Sequence, residues 1–197
     1  VLDKSGKKFG KSEGNALWLD KNKTSSYQLY QYLINTDDSL VIKYLKIFTF
    51  LSKEEIEELE KSNQEEPEKR LAHQALAKEI ITDLHGEEEY LHAKELSNVL
   101  FTEEFTNLTS KDIQEIFTNQ EIIMIKSNNL VDLLLELKAA KSKREAREFI
   151  SNGAIKINGQ KNTDLDYLLE EKDFLNNTYI IIKRGKKNYY IGKKDNS

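Results

Sequence analysis

Two lysines three residues apart, Lys8 and Lys11, lie in the run Lys8-Phe9-Gly10-Lys11-Ser12. A loop loosened by Gly10 lets both ammonium groups reach one polyphosphate. Lysine is a strongly hydrated point charge on a flexible stem, suited to phosphate charge that moves during a reaction. Ser12 and exposed backbone N–H groups add donors. Five letters in a lysine-rich stretch also describe an ordinary surface loop, and the pattern by itself leaves both readings open. A second basic set, Lys143, Arg144 and Arg147, follows Ser142, which forms a capping box with Glu145. Positions i, i+1 and i+4 cluster on one side of a helix, away from Ala146, Phe149 and Ile150, and the helix N-terminus itself favours anions. This set predicts a phosphate site, with a solvated basic face as the alternative. A third set, Lys183, Arg184, Lys186 and Lys187, belongs to a hairpin beside Tyr189 and Tyr190. One tyrosine could stack on a base. Strand neighbours face opposite sides, so one of the pair more often lies in the core.

Two further sets carry weaker chemistry. Asp37 and Asp38 follow an apolar helix at a break. Carboxylates accept from base N–H groups, but capping of the next helix is the simpler role. His73, His85 and His92 make no metal pattern, and there is no cysteine to complete a zinc set. No protein-bound metal is expected, and the histidines are expected at helix surfaces or C-termini. The absence of cysteine also excludes disulfides and thiol catalysis.

The elements that must position these groups follow from charge and periodicity. The net charge of -4 divides into +3 over residues 1–25, -11 over 26–126 and +4 over 127–197. Glycines at 6, 10 and 14 keep the first stretch out of a helix. From Ser26 a helical period takes over. Tyr27, Tyr30 and Ile34 share one face; Val41, Tyr44, Leu45 and Phe48 form the next. A capping box at Ser52 and Glu55 starts a third helix, with Ile56 and Leu59 inward, and Pro67 sits where a new helix can begin. Leu71, Ala75, Leu76 and Ile80 predict a fourth inner face, ended by His85-Gly86, and a fifth helix runs from Glu87 with Leu91 and Leu96 inward. Residues 26–105 thus read as an all-α domain. Residues 106–126 are Thr/Asn/Ser-rich and read as a linker with one short helix. Residues 127–197 read as a small α+β module. Leu130, Leu133, Leu134 and Leu137 form a helical stripe, and Asn158-Gly159 is a hairpin signal. Two more strands, from Thr178 and from Asn188, flank a Gly185-Lys186-Lys187 turn. With 8 Gly and 1 Pro a turn-dense all-β fold is excluded, and no apolar run is long enough for a membrane helix. The Val start suggests a piece of a longer chain.

Lys7-Lys8-Phe9-Gly10-Lys11-Ser12-Glu13-Gly14-Asn15-Ala16-Leu17-Trp18-Leu19-Asp20 resembles the KMSKS signature loop of class I aminoacyl-tRNA synthetases. It is most similar to the KFGKS form of the bacterial tyrosyl-tRNA synthetases. The resemblance continues through Ile34-Asn35-Thr36-Asp37-Asp38, Ala72 to Leu84 with His85-Gly86, and Lys183 to Tyr190. Residues 142–147 and 152–159 resemble the RNA-binding motif first known from ribosomal protein S-four. The resemblance implies an α + (α+β) fold class. Residues 1–25 are then the signature loop and tail of a nucleotide-binding domain, 26–105 an anticodon-binding domain, and 127–197 an RNA-binding module. It implies that Lys8 and Lys11 stabilise departing pyrophosphate, with Ser12 as an accessory donor and Gly10 permitting loop closure. ATP, with Mg2+, and tyrosine would be the substrates and tRNA(Tyr) the partner of a cytoplasmic homodimer joined through the catalytic domain. The HIGH motif of that domain does not occur in these residues, so the chain alone is expected to be inactive. A stand-alone RNA-binding or regulatory protein is the alternative expectation.

Overall fold

The computed structural model describes residues 11–12 and 15–195 and divides the chain into two compact units, Val1–Asn98 and Val99–Ser197. In the first, β1 (Lys11–Ser12) pairs antiparallel with β2 (Asn15–Ala16). Helices α1 (Ser26–Ile34), α2 (Asp38–Phe48), α3 (Lys53–Glu65) and α4 (Leu71–His85) follow. Helix α5 (Glu87–Thr102) begins in this unit and crosses the boundary. The first three starts carry side-chain caps. Ser25 and Gln28 cap α1 reciprocally, Asp37 accepts from the Ser39 amide at the head of α2, and Ser52 and Glu55 form the predicted box at α3. Pro67 opens a short 3-10 turn, and α4 starts only after Arg70, whose φ is +51°.

Helix α4 is the hub, packing against α1, α2 and α3. Its inner face is Ala72, His73, Leu76, Ala77 and Ile81; of the predicted Leu71, Ala75, Leu76 and Ile80, Leu76 is buried as expected, while the others sit one position short of the inner face and Leu71 is 43% exposed. Both registers are apolar at helical spacing. The observed one buries His73, which hydropathy counts as polar, because its Nε2 lies 3.0 Å from the Thr36 carbonyl. The expectation of a surface histidine at 73 is thereby corrected. Leu96 of α5 is buried as predicted, but Leu91 is exposed. Tyr90 takes the inner position instead, its ring 6.2 Å from that of Tyr30.

The second unit is a five-stranded sheet of order β3-β7-β6-β4-β5. Its strands are β3 (Ile122–Ile125), β4 (Ile155–Ile157), β5 (Gln160–Asn162), β6 (Tyr179–Arg184) and β7 (Asn188–Lys194). Only β3 is parallel to its neighbour, with Ile122 opposite Ile191. Asn158 and Gly159, at φ +46° and +87°, make the predicted tight turn between β4 and β5. Helices α7 (Leu130–Glu136) and α8 (Lys143–Ser151) cover one face, where Leu130, Leu133, Leu134, Leu137, Ala146 and Ile150 meet Ile155, Ile157, Ile180 and Ile182.

The segment read as a linker is structural. It contains α6 (Ser110–Ile116), capped reciprocally by Thr109 and Asp112, and strand β3. Phe105, Leu108, Ile113, Ile116 and Phe117 are buried, and Phe117 lies 5.5 Å from the ring of Tyr189. Thr, Asn and Ser stand out at the start of the segment, but Leu108, Ile113, Ile116, Phe117 and Ile125 within it are buried.

Candidate nucleic-acid interface

The basic helix is built as its sequence implies. Ser142 Oγ accepts from the Glu145 amide at 3.2 Å, while the Glu145 carboxylate accepts from the Lys141 amide at 2.5 Å in place of the reciprocal bond. Ala146 and Ile150 are buried, so Lys143, Arg144 and Arg147 are left exposed. Lys143 Nζ lies 2.7 Å from an Asp132 carboxylate oxygen on α7. Hydrogen bonds from Lys143 and then Asn129 hold that carboxyl below its ordinary range.

Strand alternation divides the third basic set. Arg184 turns toward α8, where its guanidinium lies 5.1 Å from the Phe149 ring and 5.5 Å from the Tyr190 ring. It also donates to the Ala139 carbonyl, in the loop that leads to α8. The next amide, of Gly185, donates to the Ala154 carbonyl at 2.8 Å. The turn carrying exposed Lys186 and Lys187 is thus tied to both ends of α8. Two clusters that the sequence presents as separate are joined through one arginine.

Lys183 points the other way. Its side chain is 12% exposed and pairs with Glu103, which also holds Lys156 at 2.6 Å. The Glu103 hydrogen bond raises the Lys183 pKa against the effect of burial. Its ammonium lies 5.2 Å from the Tyr189 ring, and Tyr189 packs edge-on to Phe105. Both tyrosines are therefore occupied, on opposite faces. Two exposed cations near α8 escaped the sequence reading. Lys141 directly precedes the cap, and Lys161 on β5 lies over Gly153, where an added Cβ would sit 2.1 Å from its Cε. Lys141 was legible from its place beside the capping box; Lys161 was not, since only the hairpin register brings it to the end of α8.

In the helical unit Asp37 caps α2, and Asp38 lies 3.2 Å from His73 Nε2 and 3.7 Å from Arg70. Arg70 also donates to the Ile34 carbonyl at 2.6 Å. Burial, then the Arg70 charge, lowers the His73 pKa against the opposing pull of Thr36 and Asp38. Of the signature run, Lys8 and Gly10 lie outside the described residues, and Lys11 and Ser12 are placed by their backbone in β1. Among the described residues no three metal-ligating side chains gather, and no helix is long and apolar enough to cross a membrane.

Residues 1–102 match the family model of class I tRNA synthetases (W and Y). The chain belongs to this family. A second match, over residues 112–191, is to the tyrosine–tRNA ligase SYY-like C-terminal domain. Among curated members of the class I synthetases, the tyrosine–tRNA ligase of Bacillus pumilus is 48% identical over 194 residues, and that of Streptococcus pneumoniae 44%. Each match covers 97% of this chain and 46% of the relative, so the chain spans about half the length of the synthetases it matches. A solved tyrosyl-tRNA synthetase C-terminal domain is 35% identical over 47% of this chain and 95% of its own, at a TM-score of 0.39.

Proposed function

We propose that this chain is the pyrophosphate-handling loop and tRNA-binding portion of a tyrosine–tRNA ligase. The observation that carries this reading is the basic face of α8, continued onto the Lys186-Lys187 turn by Arg184. It lies in the same chain as the Lys8 to Ser12 signature run. The complete enzyme joins tyrosine to ATP, releases pyrophosphate and passes the tyrosyl group to tRNA(Tyr); Mg2+ enters with ATP as part of the substrate. Negative charge grows on the departing pyrophosphate. Lys8 and Lys11, placed on that charge and not on the ground state, lower the barrier. Ser12 adds a donor, and Gly10 lets the loop close.

Lys143, Arg144, Arg147, Lys186 and Lys187 grip phosphates of the tRNA as a module of the ribosomal-protein-S-four type. The helical unit meets the anticodon region. The enzyme works in the cytoplasm as a homodimer joined through its nucleotide-binding domain. By itself the 197-residue chain, which contains no HIGH motif, forms no adenylate. In the enzyme carrying this chain with a nucleotide-binding fold, Lys11→Ala slows pre-steady-state pyrophosphate release by about 10²-fold or more and leaves tRNA affinity nearly unchanged. Unchanged pyrophosphate release would remove the loop's role.

A further inference from the structure

Asparagine followed by glycine occurs twice in the chain, at Asn152-Gly153 and Asn158-Gly159, and both pairs lie in the second unit. Such a pair can modify itself. The glycine amide nitrogen attacks the asparagine side-chain carbon and gives up its proton. The side-chain nitrogen leaves as ammonia, and a five-membered succinimide closes. Water then opens the ring to aspartate or isoaspartate. One water is consumed, one ammonia is released and one carboxylate is gained. Glycine favours the attack because no Cβ obstructs it and the backbone turns freely.

The fold treats the two pairs differently. Asn158 is held by three hydrogen bonds. Its Oδ1 accepts from the Ile181 amide at 2.9 Å, its Nδ2 donates to the Asp173 carbonyl at 2.7 Å, and its own amide donates to the Ile181 carbonyl at 2.8 Å. Gly159 is closely wedged, since an added Cβ would sit 2.1 Å from the Glu103 carbonyl oxygen. Turning Asn158 toward the Gly159 nitrogen breaks this set beside the central strand β6. Asn152 is the exposed C-cap of α8, and among the described residues its side chain has no hydrogen-bond partner. Its ψ is 0°, so the attack requires the last turn of α8 to loosen. The bonds that open are those from the Gly153 amide to Ile150 and from the Ala154 amide to Phe149, both 2.9 Å. Helix ends open locally without unfolding the sheet they pack on.

We infer that Asn152 is a site of spontaneous deamidation and that Asn158 is shielded from it. The product places a carboxylate at the exposed end of α8. Negative charge there opposes the helix dipole. Lys161 offsets this, because its Nζ lies 2.5 Å from the Cβ position of Gly153 and brings an ammonium to the same end. The unit therefore stays folded, and what changes is the charge at the end of the face that carries Arg144 and Arg147. The bearing on RNA rests on reading that face as the tRNA interface. A modified chain then binds tRNA more weakly, and the loss accumulates with the age of the protein.

Trypsin separates the two sites, because cleavage after Arg147, Lys156 and Lys161 yields peptides 148–156 and 157–161. The folded 197-residue chain is held at mildly alkaline pH, sampled over days, digested briefly at mildly acidic pH and read by mass spectrometry. Peptide 148–156 gains the mass of deamidation at least about tenfold faster than 157–161, and in guanidinium chloride the two rates converge to within a few-fold. Asn152→Gln abolishes the fast conversion. No conversion of 148–156, equal rates in the folded chain, or a preference that persists undiminished in guanidinium chloride would overturn the assignment. Asn152→Asp, which stands for the aspartate product, keeps the thermal melting of the chain and weakens tRNA binding about two- to fivefold at low salt, less at high salt. Unchanged tRNA affinity in Asn152→Asp would overturn the bearing on RNA. Failure of Arg144→Ala to weaken tRNA binding would defeat the interface reading while leaving the peptide result standing.

Discussion

The division of the basic residues by strand alternation has a measurable consequence in the salt dependence of RNA binding. Of the seven cations named from the sequence, Lys143, Arg144, Arg147, Lys186 and Lys187 are exposed, Lys143 beside Asp132 at a solvated site, while Lys183 is held against Glu103 with its side chain only 12% exposed and Arg184 is spent on Ala139 and two rings. Five phosphate contacts give a slope of log affinity against log salt of about -3.5 to -4.5, from about 0.7 to 0.9 ions released per contact. Between 50 and 200 mM salt, affinity for tRNA then falls about 130- to 500-fold. Filter binding or fluorescence anisotropy across that range supplies the slope. Arg144→Ala and Arg147→Ala should each flatten it by about 1, with weaker binding at every salt concentration. Lys183→Ala should leave the slope unchanged, since its charge already faces Glu103. A Lys183→Ala slope lower by 1, or an Arg144→Ala slope identical to wild type, would refute the assignment.

Three other expectations concern how the units are held. The neutral form of His73 is favoured in the folded state by burial and Arg70, so its contribution is complete above about pH 6.5 and is lost as pH falls toward the lowered value. Helical melting temperature should drop over that range in the wild type and not in His73→Gln. Gly159→Ala would place a Cβ 2.1 Å from the Glu103 carbonyl oxygen at φ +87°, and should cost about 1–3 kcal/mol in urea unfolding of the second unit. Burial pushes the Glu103 carboxyl up, but hydrogen bonds from Lys156 and Lys183 outweigh it and hold the carboxyl below 4.5. Its contribution is therefore present above that value and lost as pH falls through the lowered one. Glu103→Gln should cost about 1–3 kcal/mol at neutral pH and reduce that acid dependence.

Local chemistry made much of this legible. The box at Ser52, the Asn158-Gly159 turn and the leucine stripe of α7 are each set by residues within a few positions of one another, and each formed as its residues imply, whereas at Ser142 only the half in which its hydroxyl accepts from the Glu145 amide formed. What escaped depends on partners distant in the chain. Lys183 looks like a surface cation until Glu103, 80 residues earlier, is brought beside it. The register of α4 turned on whether His73 could find a carbonyl, and Thr36 supplied it from the α1–α2 junction. Residues 106–126 read as a linker from their Thr, Asn and Ser content, while Leu108, Ile113 and Phe117 find their partners only in the folded unit and β3 is recognisable only beside β7. The joining of the two basic clusters by Arg184 likewise requires the sheet to lay β6 under α8.

The central claim is that this chain serves tyrosine–tRNA ligation, and charging measures that directly. The enzyme that carries this chain, with a nucleotide-binding fold, is incubated with ATP, labelled tyrosine and purified tRNA(Tyr). The account predicts tyrosyl-tRNA(Tyr) formation that collapses in Lys11→Ala and, at physiological salt, weakens in Arg144→Ala. Tyrosine left uncharged by the wild-type enzyme, or charging indifferent to Lys11→Ala, would contradict it.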